Sequence, residues 1–541
     1  MSEQEVPVLV VGGSLVGLTT SVLLASRGVR HMLIERHRGT AIHPRAASFH
    51  QRTMEIFRSI GLQQAVEAAA EREFVQNGAI VSVDTLSGKE LACFYRSFNQ
   101  GVEGLSPCSR LFITQIGLEP VLRERARALG ADHQYATELM SVEQDDAGVV
   151  AVLRSRDGGA ERTVRARYLV AADGTHSFVR GQLGIDMAGR GNFADCVTIY
   201  FKADLRALIG DRNLSVIYVN QPGLLAFFRF SISGDAGFLA VFATFDEDGV
   251  RSHVGQNLSP DRCAALVRAA LGVPAEFPVG IDDVQPWSAS AVTATAFRRG
   301  RIFLAGDAAH LMPPTGGFGG NTGIADAHNL VWKLAMVLEG AAGPRLLDSY
   351  ETERKPQCEL IVEQAYARYV KRVDSSLPAT NLAPMLDDAA IELGSVYGSD
   401  AILEEGGQQS GAVALLEDPR KPGGGPGTRV PHIMLQRNGV GESTHDLLQG
   451  GFTLLAGAGG RHWTEAGNAL AAAGMPLRAY RIAPDGDLTN TDGRFEQTLG
   501  IRGSDALLLR PDGVIGWRTR GPHADPRARL DEVMRRLTFR P

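Results

Sequence analysis

The first 35 residues alternate between apolar runs and a glycine-rich turn. Residues 6–11 are apolar and rich in β-branched side chains, and the run ends at glycine, which predicts a buried parallel strand. Residues 18–26 are predicted to form a helix that packs closely on that strand, and residues 30–34 a second strand. Strand, helix and strand in this order predict a βαβ unit and therefore an α/β domain.

The turn after the first strand reads Gly12-Gly13-Ser14-Leu15-Val16-Gly17 and is typical of dinucleotide binding. Glycines permit a tight turn and a close approach of the backbone to a pyrophosphate at the helix N-terminus. Glu35 follows Gly17 by 18 residues, where an acid accepts hydrogen bonds from an adenosine ribose. Ser14 stands where the motif has glycine, so we expect a weaker or displaced pyrophosphate contact. A glycine-tight turn without a ligand is the alternative interpretation.

Two later apolar runs also end in an acid beside a glycine. Residues 167–172 lead into Asp173-Gly174, and residues 300–305 lead into Gly306-Asp307. A glycine-rich stretch then runs into a predicted helix over residues 326–338, whose apolar positions form one stripe. A carboxylate at a strand end suits a polyol hydroxyl, and a helix N-terminus stabilises the negative charge of a reduced flavin ring. These features predict that the dinucleotide is a flavin.

The middle of the chain changes to short β-rich runs separated by turn residues, which predicts an antiparallel sheet. Phe227, Phe228, Phe230 and Phe242 crowd this region. Because side chains alternate along a strand, Phe228 and Phe230 share one face and Arg229 takes the other. The cluster is either plain sheet core or the wall of a substrate cavity, and we favour a wall formed by Phe228, Phe230 and Phe242. If the opposite face of the strand lined the cavity instead, Arg229 would anchor a carboxylate-bearing substrate.

The last part of the chain is predicted to fold as a small α/β domain of its own. Residues 420–427 are rich in proline and glycine and predict a loop or linker. Beyond it, residues 452–455 predict a strand and residues 463–473 a helix. A hairpin with a Pro-Asp-Gly turn is predicted over residues 506–517, and a final amphipathic helix over residues 530–537.

Composition narrows the class of protein. The 541 residues carry a formal net charge of −6, so no nucleic-acid-binding surface is expected, and the 44% share of hydrophobic residues is typical of a globular protein. The acidic start and the lack of a long uncharged apolar run argue against a signal peptide or a membrane span. The 5 cysteines show no C-x-x-C spacing, so we expect inert thiols, no metal site and a reducing cytoplasm.

Several motifs in a fixed order resemble a known family. Gly306-Asp307-Ala308-Ala309-His310 is followed by Pro313-Pro314-Thr315-Gly316 and by Leu347-x-Ser349-Tyr350-x-x-Glu353-Arg354-x-Pro356. With the N-terminal glycine turn and Asp173-Gly174, they resemble the single-component, para-hydroxybenzoate hydroxylase-like flavoprotein aromatic monooxygenases, over about residues 5–370. The tail is similar to the thioredoxin-like domain of the phenol hydroxylase and aromatic polyketide hydroxylase branch, but it has no cysteine for redox work.

This resemblance implies an α/β fold with three parts. They are a Rossmann-type FAD-binding domain, an interleaved antiparallel β-sheet substrate domain and a C-terminal thioredoxin-like α/β domain. The first FAD-binding part is expected at residues 1–185, with a substrate-domain insertion near residues 75–105, and the substrate sheet at residues 186–290. The second FAD-binding part, with long helices, is expected at residues 291–400, the linker at residues 401–427 and the thioredoxin-like tail at residues 428–541.

The resemblance also implies roles for individual residues. Glu35, with Arg36 beside it, would bind the adenosine ribose, and Arg45 would lie near the pyrophosphate and help to admit the nicotinamide cofactor. Asp173 would serve the pyrophosphate and the nicotinamide, and Asp307 would take a ribityl hydroxyl. The other implied cofactor contacts are Gly12, Ser14, Leu15, Val16 and Gly17 at the pyrophosphate, Gln115 at the flavin chain, Gly306, Pro314 beside the ring, and Gly317, Gly319, Gly320 and Asn321 at its pyrimidine edge. Judged without its motif, Arg45 is a surface residue, and His310 is expected to be a satisfied core histidine.

The chemistry implied is aromatic hydroxylation. NADPH or NADH would reduce a noncovalently bound FAD, O2 would add at C4a, and the C4a-hydroperoxyflavin would give an oxygen atom to an electron-rich ring. Residues 44–48 and 316–321 look most like those of bacterial enzymes that tailor polycyclic aromatic polyketides, so a polycyclic phenolic substrate is expected. No side-chain nucleophile is required, and we assign no catalytic side chain.

Other activities fit the same motifs. Ring opening, rearrangement of a quinone or an oxidase reaction would use the same flavin differently. A flavoprotein that binds and shields a labile intermediate is a further alternative. The expected partners are an aromatic small molecule and O2, with no nucleic acid, no membrane and a possible homodimer.

Overall fold

The computed structural model describes residues 4–42, 47–246, 248, 251–252, 254–255, 258–404, 414–490 and 492–540. The α-helices of this part are, in chain order, α1 (Leu15–Ser26), α2 (Gln51–Ser59), α3 (Gln63–Glu73), α4 (Gln115–Ala128), α5 (Phe178–Gln182), α6 (Arg206–Ile209), α7 (Pro260–Leu271), α8 (Phe318–Leu338), α9 (Ser349–Arg372), α10 (Asp388–Leu393), α11 (Arg461–Ala472), α12 (Arg494–Leu499) and α13 (Pro526–Thr538). Together with three main sheets, they confirm the predicted mixed α/β fold class. Within the described ranges, no helix combines the length and apolarity needed to cross a membrane.

The N-terminal sheet has parallel strands at its centre. Its strands are β1 (Gln4–Val11), β2 (His31–Ile34), β7 (Asp132–Gln134), β8 (Thr137–Gln144), β9 (Val149–Ser155), β10 (Arg162–Ala171), β17 (Arg298–Arg299) and β18 (Ile302–Leu304). The order is β17–β18–β10–β1–β2–β7, and β9 and β8 extend antiparallel from β10. Val8, Leu9 and Val10 of β1 are fully buried, as expected for a strand covered on both faces. The parallel pairing brings the ends of β1, β10 and β18 to one edge of the sheet.

The second sheet is almost entirely antiparallel and is assembled from separate parts of the chain. Its strands are β4 (Ala79–Val83), β5 (Glu90–Tyr95), β11 (Met187–Lys202), β12 (Leu214–Gln221), β13 (Leu224–Phe230), β14 (Ala236–Phe245), β15 (Arg251–Ser252), β16 (Gly280–Ala294) and β19 (His310–Leu311). The order is β19–β16–β11–β14–β13–β12–β4–β5, with β15 beside β14. The pairing of β16 with β19 ties this sheet directly to the segment that follows Asp307. The two remaining short strands of this part of the chain, β3 (Ser48–Phe49) and β6 (Leu111–Phe112), pair only with each other.

The two faces of the second sheet carry different phenylalanines. Phe228 and Phe230 pack in the cluster that α7 covers, where Phe228 is fully buried. Phe242 lies on the opposite face, against Tyr369 of α9. The predicted single wall of Phe228, Phe230 and Phe242 is therefore wrong. The reason is the pleat: Phe228 pairs with Leu239 across the strands, and Phe242 is three residues further along β14 and points the other way.

Helix α8 begins at Phe318, eight residues earlier than the sequence predicted. Glycine disfavours helix interiors, so helix propensity alone predicts residues 318–325 to lie outside the helix. The structure instead places Gly319, Gly320 and Asn321 in the first helical turn, after Gly317 with φ +68°. Their backbone N–H groups therefore belong to a helix N-terminus, where orphan donors are concentrated.

The C-terminal domain is a small sheet flanked by helices. Strands β22 (Phe452–Ala456), β23 (Leu477–Arg481), β24 (Ala506–Leu509) and β25 (Ile515–Thr519) follow the order β23–β22–β24–β25. β22 and β23 are parallel and the other pairs antiparallel, with α11 and α13 packed together beside β22 and β23. A hairpin of β20 (Met434–Arg437) and β21 (Val440–Ser443) precedes this sheet. The arrangement is the thioredoxin-like one that the resemblance implied.

The interface between this domain and the rest of the chain is both apolar and charged. Trp332 of α8 packs edge-on against Phe452 with ring centroids 6.1 Å apart, within one continuous core. Arg510 bridges Glu353 of α9 at 2.6 Å and Asp512 at 2.5 Å, and these three side chains are between 0% and 3% exposed. Charges buried this completely require their partners, because an uncompensated charge in the interior is strongly unfavourable.

We expect truncation after Gly425 to abolish folding of the remaining chain. It uncovers Trp332 and leaves Glu353 with Lys333 as its remaining cation, at 2.9 Å. Breaking a buried ion pair costs about 3–5 kcal/mol of a total stability of roughly 5–15 kcal/mol. Soluble yield and urea unfolding of residues 1–425 and of the full chain measure the effect. A soluble truncated protein that unfolds at the same urea concentration as the full chain contradicts this account.

Candidate functional site

The turn after β1 is close-packed against its surroundings. A Cβ atom built on Gly12, which has φ +105°, would lie 2.2 Å from the carbonyl oxygen of Ala172. A Cβ atom on Gly17 would lie 1.8 Å from the carbonyl oxygen of Gly12. Neither position tolerates a side chain, so α1 starts directly against the end of β1 and beside the end of β10. This is the geometry that exposes a helix N-terminus to a pyrophosphate.

Ser14, the departure from the glycine motif, has a partner that the sequence analysis missed. Its hydroxyl donates to the carboxylate of Glu119 on α4 over 2.6 Å, and it makes no cap to its own helix. Glu119 also accepts hydrogen bonds from the N–H of Ala41 at 2.7 Å and from Gln115 at 3.1 Å. Serine at this position therefore connects the turn to α4 and to the residues that lead towards Arg45.

The carboxyl group of Glu119 is fully buried. Burial raises its pKa, although hydrogen bonds from Ser14 and from the N–H groups of Ala41 and Leu15 oppose the shift. The hydrogen bonds that Glu119 accepts from Ser14 and Ala41 tie α4 to the glycine turn and to the segment after β2. The signal that could have revealed this residue is its spacing: Gln115 and Glu119 are four positions apart and share one face of a helix.

Glu35 lies at the end of β2, where the sequence placed it. Its carboxylate accepts hydrogen bonds from the N–H of Gly13 at 2.7 Å and of His37 at 2.8 Å. These bonds orient the acid towards the glycine turn, while Arg36 beside it is exposed. Arg45 lies outside the described residues.

Asp173 and Asp307 lie at the ends of two neighbouring parallel strands. Asp173, half-buried after β10, accepts hydrogen bonds from the hydroxyl of Ser177 at 2.5 Å and the N–H of Val179 at 3.1 Å. Burial raises the pKa of Asp173 against these hydrogen bonds. Asp307 follows β18 and is exposed at the same sheet edge.

The Gly306 turn that carries Asp307 is hydrogen-bonded to a buried carboxylate. Asp326 of α8 accepts hydrogen bonds from the N–H of Gly306 at 3.1 Å, from Nε2 of His310 at 2.7 Å and from Nε of Arg354 at 2.8 Å. His310 is thus a buried core histidine, but it is not the fully satisfied one that was expected, because its Nδ1 has no hydrogen-bond partner within the described residues. Cys358 completes a group of possible metal ligands with His310 and Asp326, but the guanidinium of Arg354 already supplies a cation to that carboxylate.

Asn321 fixes the start of α8 to α2 and to the glycine turn. Its Oδ1 accepts hydrogen bonds from the N–H of His50 at 2.9 Å and from the hydroxyl of Thr53 at 2.7 Å. Its Nδ2 donates to the carbonyl groups of Gly317 at 2.6 Å and Ser48 at 2.9 Å. Nearby, Pro314 is exposed, and Gly319 and Gly320 are partly exposed in the first turn.

Arg229 is enclosed in the body of the protein and does not line an open cavity. Its guanidinium lies between the rings of Phe74 and Phe112, at 3.9 and 3.6 Å from their centroids, and donates to the carbonyl of Ser215 at 2.5 Å. Burial lowers its pKa to about 9. These contacts give Arg229 a packing role. They do not favour the alternative in which Arg229 lines the cavity and anchors a substrate carboxylate.

A cluster of aromatic side chains lies between α9 and the face of the second sheet opposite α7, where Phe242 is 1% exposed and Phe193 and Phe227 are half-buried. Phe242 stacks on Phe227 with centroids 5.6 Å apart, and Phe193 meets Tyr366 and Tyr369 of α9 edge-on at 4.9 and 5.1 Å. Phe193 and Tyr366 also belong to a cluster that includes Met312, in the segment between β19 and α8. Through Phe193, this aromatic face, defined by Phe193, Phe227 and Phe242, therefore borders the segment that leads into the glycine-rich start of α8.

Burial suppresses the reactivity of four of the five cysteines. Cys93 is exposed and the other four are buried, and all five are free thiols. Burial raises the pKa of Cys108 and of Cys196 to about 12. A thiol with such a pKa is not a nucleophile at neutral pH.

The residues at this sheet edge fit an FAD molecule. A close-packed glycine turn opens onto the N-terminus of α1, acids stand at the ends of β2, β10 and β18, and the glycine-rich N-terminus of α8 lies beside the last of them. Ligands of open α/β sheets bind at the carboxyl ends of the strands, and this edge offers groups for a ribose, a pyrophosphate and an anionic ring edge.

Comparison with known proteins supports this assignment. Residues 5–365 match the FAD binding domain family, and residues 424–541 match the aromatic-ring hydroxylase C-terminal family. A 4-methyl-5-nitrocatechol 5-monooxygenase of Burkholderia sp is 46% identical, covering 99% of this chain and 98% of that protein. An aklavinone 12-hydroxylase of Streptomyces purpurascens is 38% identical over 100% of both chains. A solved structure of an aklavinone-11 hydroxylase with FAD and aklavinone superposes with a TM-score of 0.92, 37% identity and full coverage of both chains.

The site and these matches define a flavoprotein monooxygenase. The chain belongs to the family of FAD-dependent aromatic-ring hydroxylases, which includes enzymes that act on polyketides. The family resemblance drawn from the motifs is thereby confirmed.

We expect the substitution Asp307→Ala to weaken FAD binding about 10- to 150-fold, because it removes a charge-assisted hydrogen bond worth roughly 1.5–3 kcal/mol. Titration of the flavin-free protein with FAD measures the dissociation constant. Asp282→Ala, which removes an exposed acid paired with Lys202 at 3.2 Å in the second sheet, is the control and should leave it unchanged. Equal FAD affinity in both variants would show that Asp307 is not a cofactor ligand.

Proposed function

We propose that the protein uses NADPH or NADH and O2 to hydroxylate a phenolic ring, through the C4a-hydroperoxide of FAD. The observation that carries the proposal is the meeting of Glu35, Asp173 and Asp307 with two helix N-termini at one edge of a parallel sheet. FAD, when bound there noncovalently, would supply the exchange of electrons and the activation of O2. A cytoplasmic location, a homodimer and the domain boundaries given above remain predictions from the sequence.

The chain itself would bind and orient the flavin ring and the nicotinamide cofactor, and would shield the reacting atoms from water. The first turn of α8 presents backbone N–H groups at the positive end of a helix, which would stabilise negative charge at the pyrimidine edge of the ring. Asn321 holds that turn in place through four hydrogen bonds, and Pro314 would lie beside the ring. Arg45 and Asp173 would receive the nicotinamide cofactor, and the aromatic face would help to exclude water from the reacting atoms.

The substrate we propose is a polycyclic phenol of the polyketide type. The aromatic face suits large planar rings, since aromatic pairs gain about 0.5–1.5 kcal/mol beyond the burial of their area. The full-length likeness to an aklavinone-11 hydroxylase also supports this class. The oxidation would then be a tailoring step on a preformed ring system.

A monocyclic catechol is the second candidate. The relative named for 4-methyl-5-nitrocatechol is 46% identical, compared with 38% for the aklavinone 12-hydroxylase. The side chains of Phe193, Phe242 and Tyr369 also fill much of the space between the second sheet and α9 with their own contacts. A small ring would need less of that space.

A substrate panel tests the proposal and separates the two classes. The purified holoenzyme is incubated with NADPH, 18O2 and either a tetracyclic anthraquinone phenol or 4-methyl-5-nitrocatechol, and the products are analysed by mass spectrometry. The proposal predicts substrate-stimulated NADPH oxidation and one labelled oxygen atom in the tetracyclic product. Labelled product from the nitrocatechol alone would select the second candidate. Tight ligand binding without NADPH oxidation would support the shielding role, and an unlabelled oxidised product would indicate an oxidase. A labelled product in which the ring is cleaved or rearranged would indicate ring opening or rearrangement.

We expect Phe193→Leu, at a half-buried position of the aromatic face, to raise the dissociation constant of the preferred phenol several-fold, by about one aromatic contact of 0.5–1.5 kcal/mol. Phe228→Leu is the matched control on the opposite face of the same sheet. It should lower the urea midpoint through loss of packing under α7 and leave the dissociation constant unchanged. Weaker phenol binding in Phe228→Leu alone would contradict the assignment of the aromatic face.

A further inference from the structure

We propose that Arg429, a residue of the C-terminal domain, is a positioning residue for the flavin site: through Glu55 it holds α2 in the place from which that helix fixes Asn321. The inference rests on the proposed function, because it takes Asn321 and the start of α8 as the holder of the flavin ring. It gives the C-terminal domain, which has no redox dithiol, a part in the reaction.

The first link is the ion pair across the domain interface. Glu55 of α2 has a side chain that is 1% exposed, and it accepts hydrogen bonds from Nε of Arg429 at 3.0 Å and from a second nitrogen of the same guanidinium. Ser106 donates to the same carboxylate at 2.7 Å, and Arg52 at 2.9 Å. The fork of Arg429 therefore supplies two of the four bonds and approaches from the other domain.

Glu55 is ionised in this environment. Burial would raise its pKa, but the charges of Arg429 and Arg52 and the hydrogen bond from Arg429 outweigh burial and hold the pKa far below its ordinary range. Burial lowers the pKa of His445 to about 3, so that ring is neutral near pH 7. Two arginines therefore balance one enclosed carboxylate, and removal of Arg429 leaves it with Arg52 alone.

The second link runs along α2 to the flavin loop. Thr53, two residues before Glu55, donates its hydroxyl to Asn321 at 2.7 Å, and His50 at the helix N-cap donates its N–H to the same oxygen at 2.9 Å. His50 also contacts the carbonyl of Gly316 at 3.0 Å through Nε2. A small shift or rotation of α2 would therefore move the amide of Asn321 and the glycine turn together.

A second ion pair between the same helix and the same domain provides a matched comparison. Arg58 of α2 bonds to Asp446 at 2.6 Å, but these side chains are 35% and 25% exposed. Water can replace a partner in such a pair, and surface pairs of this kind contribute little. Water cannot replace a partner in the enclosed pair of Arg429 and Glu55. Substitution of Arg429 therefore tests whether the pair positions α2, and substitution of Arg58 tests the effect of losing an ordinary contact between the domains.

The test compares R429M and R58M in the full-length chain. We expect R429M to raise the FAD dissociation constant about 2- to 30-fold, the range for residues that act on a ligand without touching it, and to shift the visible absorption spectrum of bound flavin. R58M should stay within about 2-fold of the wild-type value. Urea unfolding of all variants records the loss of stability separately.

Two further variants make the result decisive. In an N321A background, R429M should raise the dissociation constant no further, because the effect passes through Asn321; additive effects would overturn the proposal. R429K keeps the charge and loses the fork, and should bind FAD more weakly than the wild type. Unchanged FAD affinity and flavin spectrum in R429K or R429M would overturn the positioning role alone, whereas a wild-type protein that binds no FAD would refute the proposed function itself.

Discussion

The close contact between the end of β1 and the start of α1 is the constraint on which the rest of the structure depends. No side chain fits at Gly12 or Gly17, because each Cβ atom would collide with a backbone carbonyl. That contact brings a helix N-terminus to the sheet edge where β10 and β18 also end. The acids at those strand ends then converge on one ligand, and the remaining domains are arranged around that edge.

The other parts of the molecule contribute through a few specific contacts. The second sheet is joined to the cofactor segment by the pairing of β16 with β19, so its aromatic face borders the segment that leads into the start of α8. The C-terminal domain is held by enclosed ion pairs at Glu55 and Glu353, on helices that belong to the FAD-binding region. Because these charges are buried, the domain is part of the folded body of the protein and not a separable appendage.

Sequence alone predicted the elements whose signals are local. The β1 to β2 unit, the acids at strand ends and the β-rich middle follow from apolar periodicity and from glycine, and the structure shows each of them. The start of α8 was missed because glycine propensity opposed it, while packing and the hydrogen bonds of Asn321 stabilise the helix there.

Features that depend on distant parts of the chain were not predictable. The face occupied by Phe242 was misjudged because it depends on pairing between β13 and β14, and alternation within one strand does not report it. Glu119 and Glu55 were overlooked because their partners, Ser14 and Arg429, lie 105 and 374 residues away. No local pattern marks a buried carboxylate whose partner is that remote.

The central claim is that this sheet edge holds FAD. It is tested most directly by purifying the full-length protein with FAD supplied, removing free flavin, and measuring the flavin released on denaturation per protein chain. The account predicts a yellow protein that releases close to one unmodified FAD per chain, because binding is noncovalent. A folded, FAD-supplied protein that carries no flavin would contradict it.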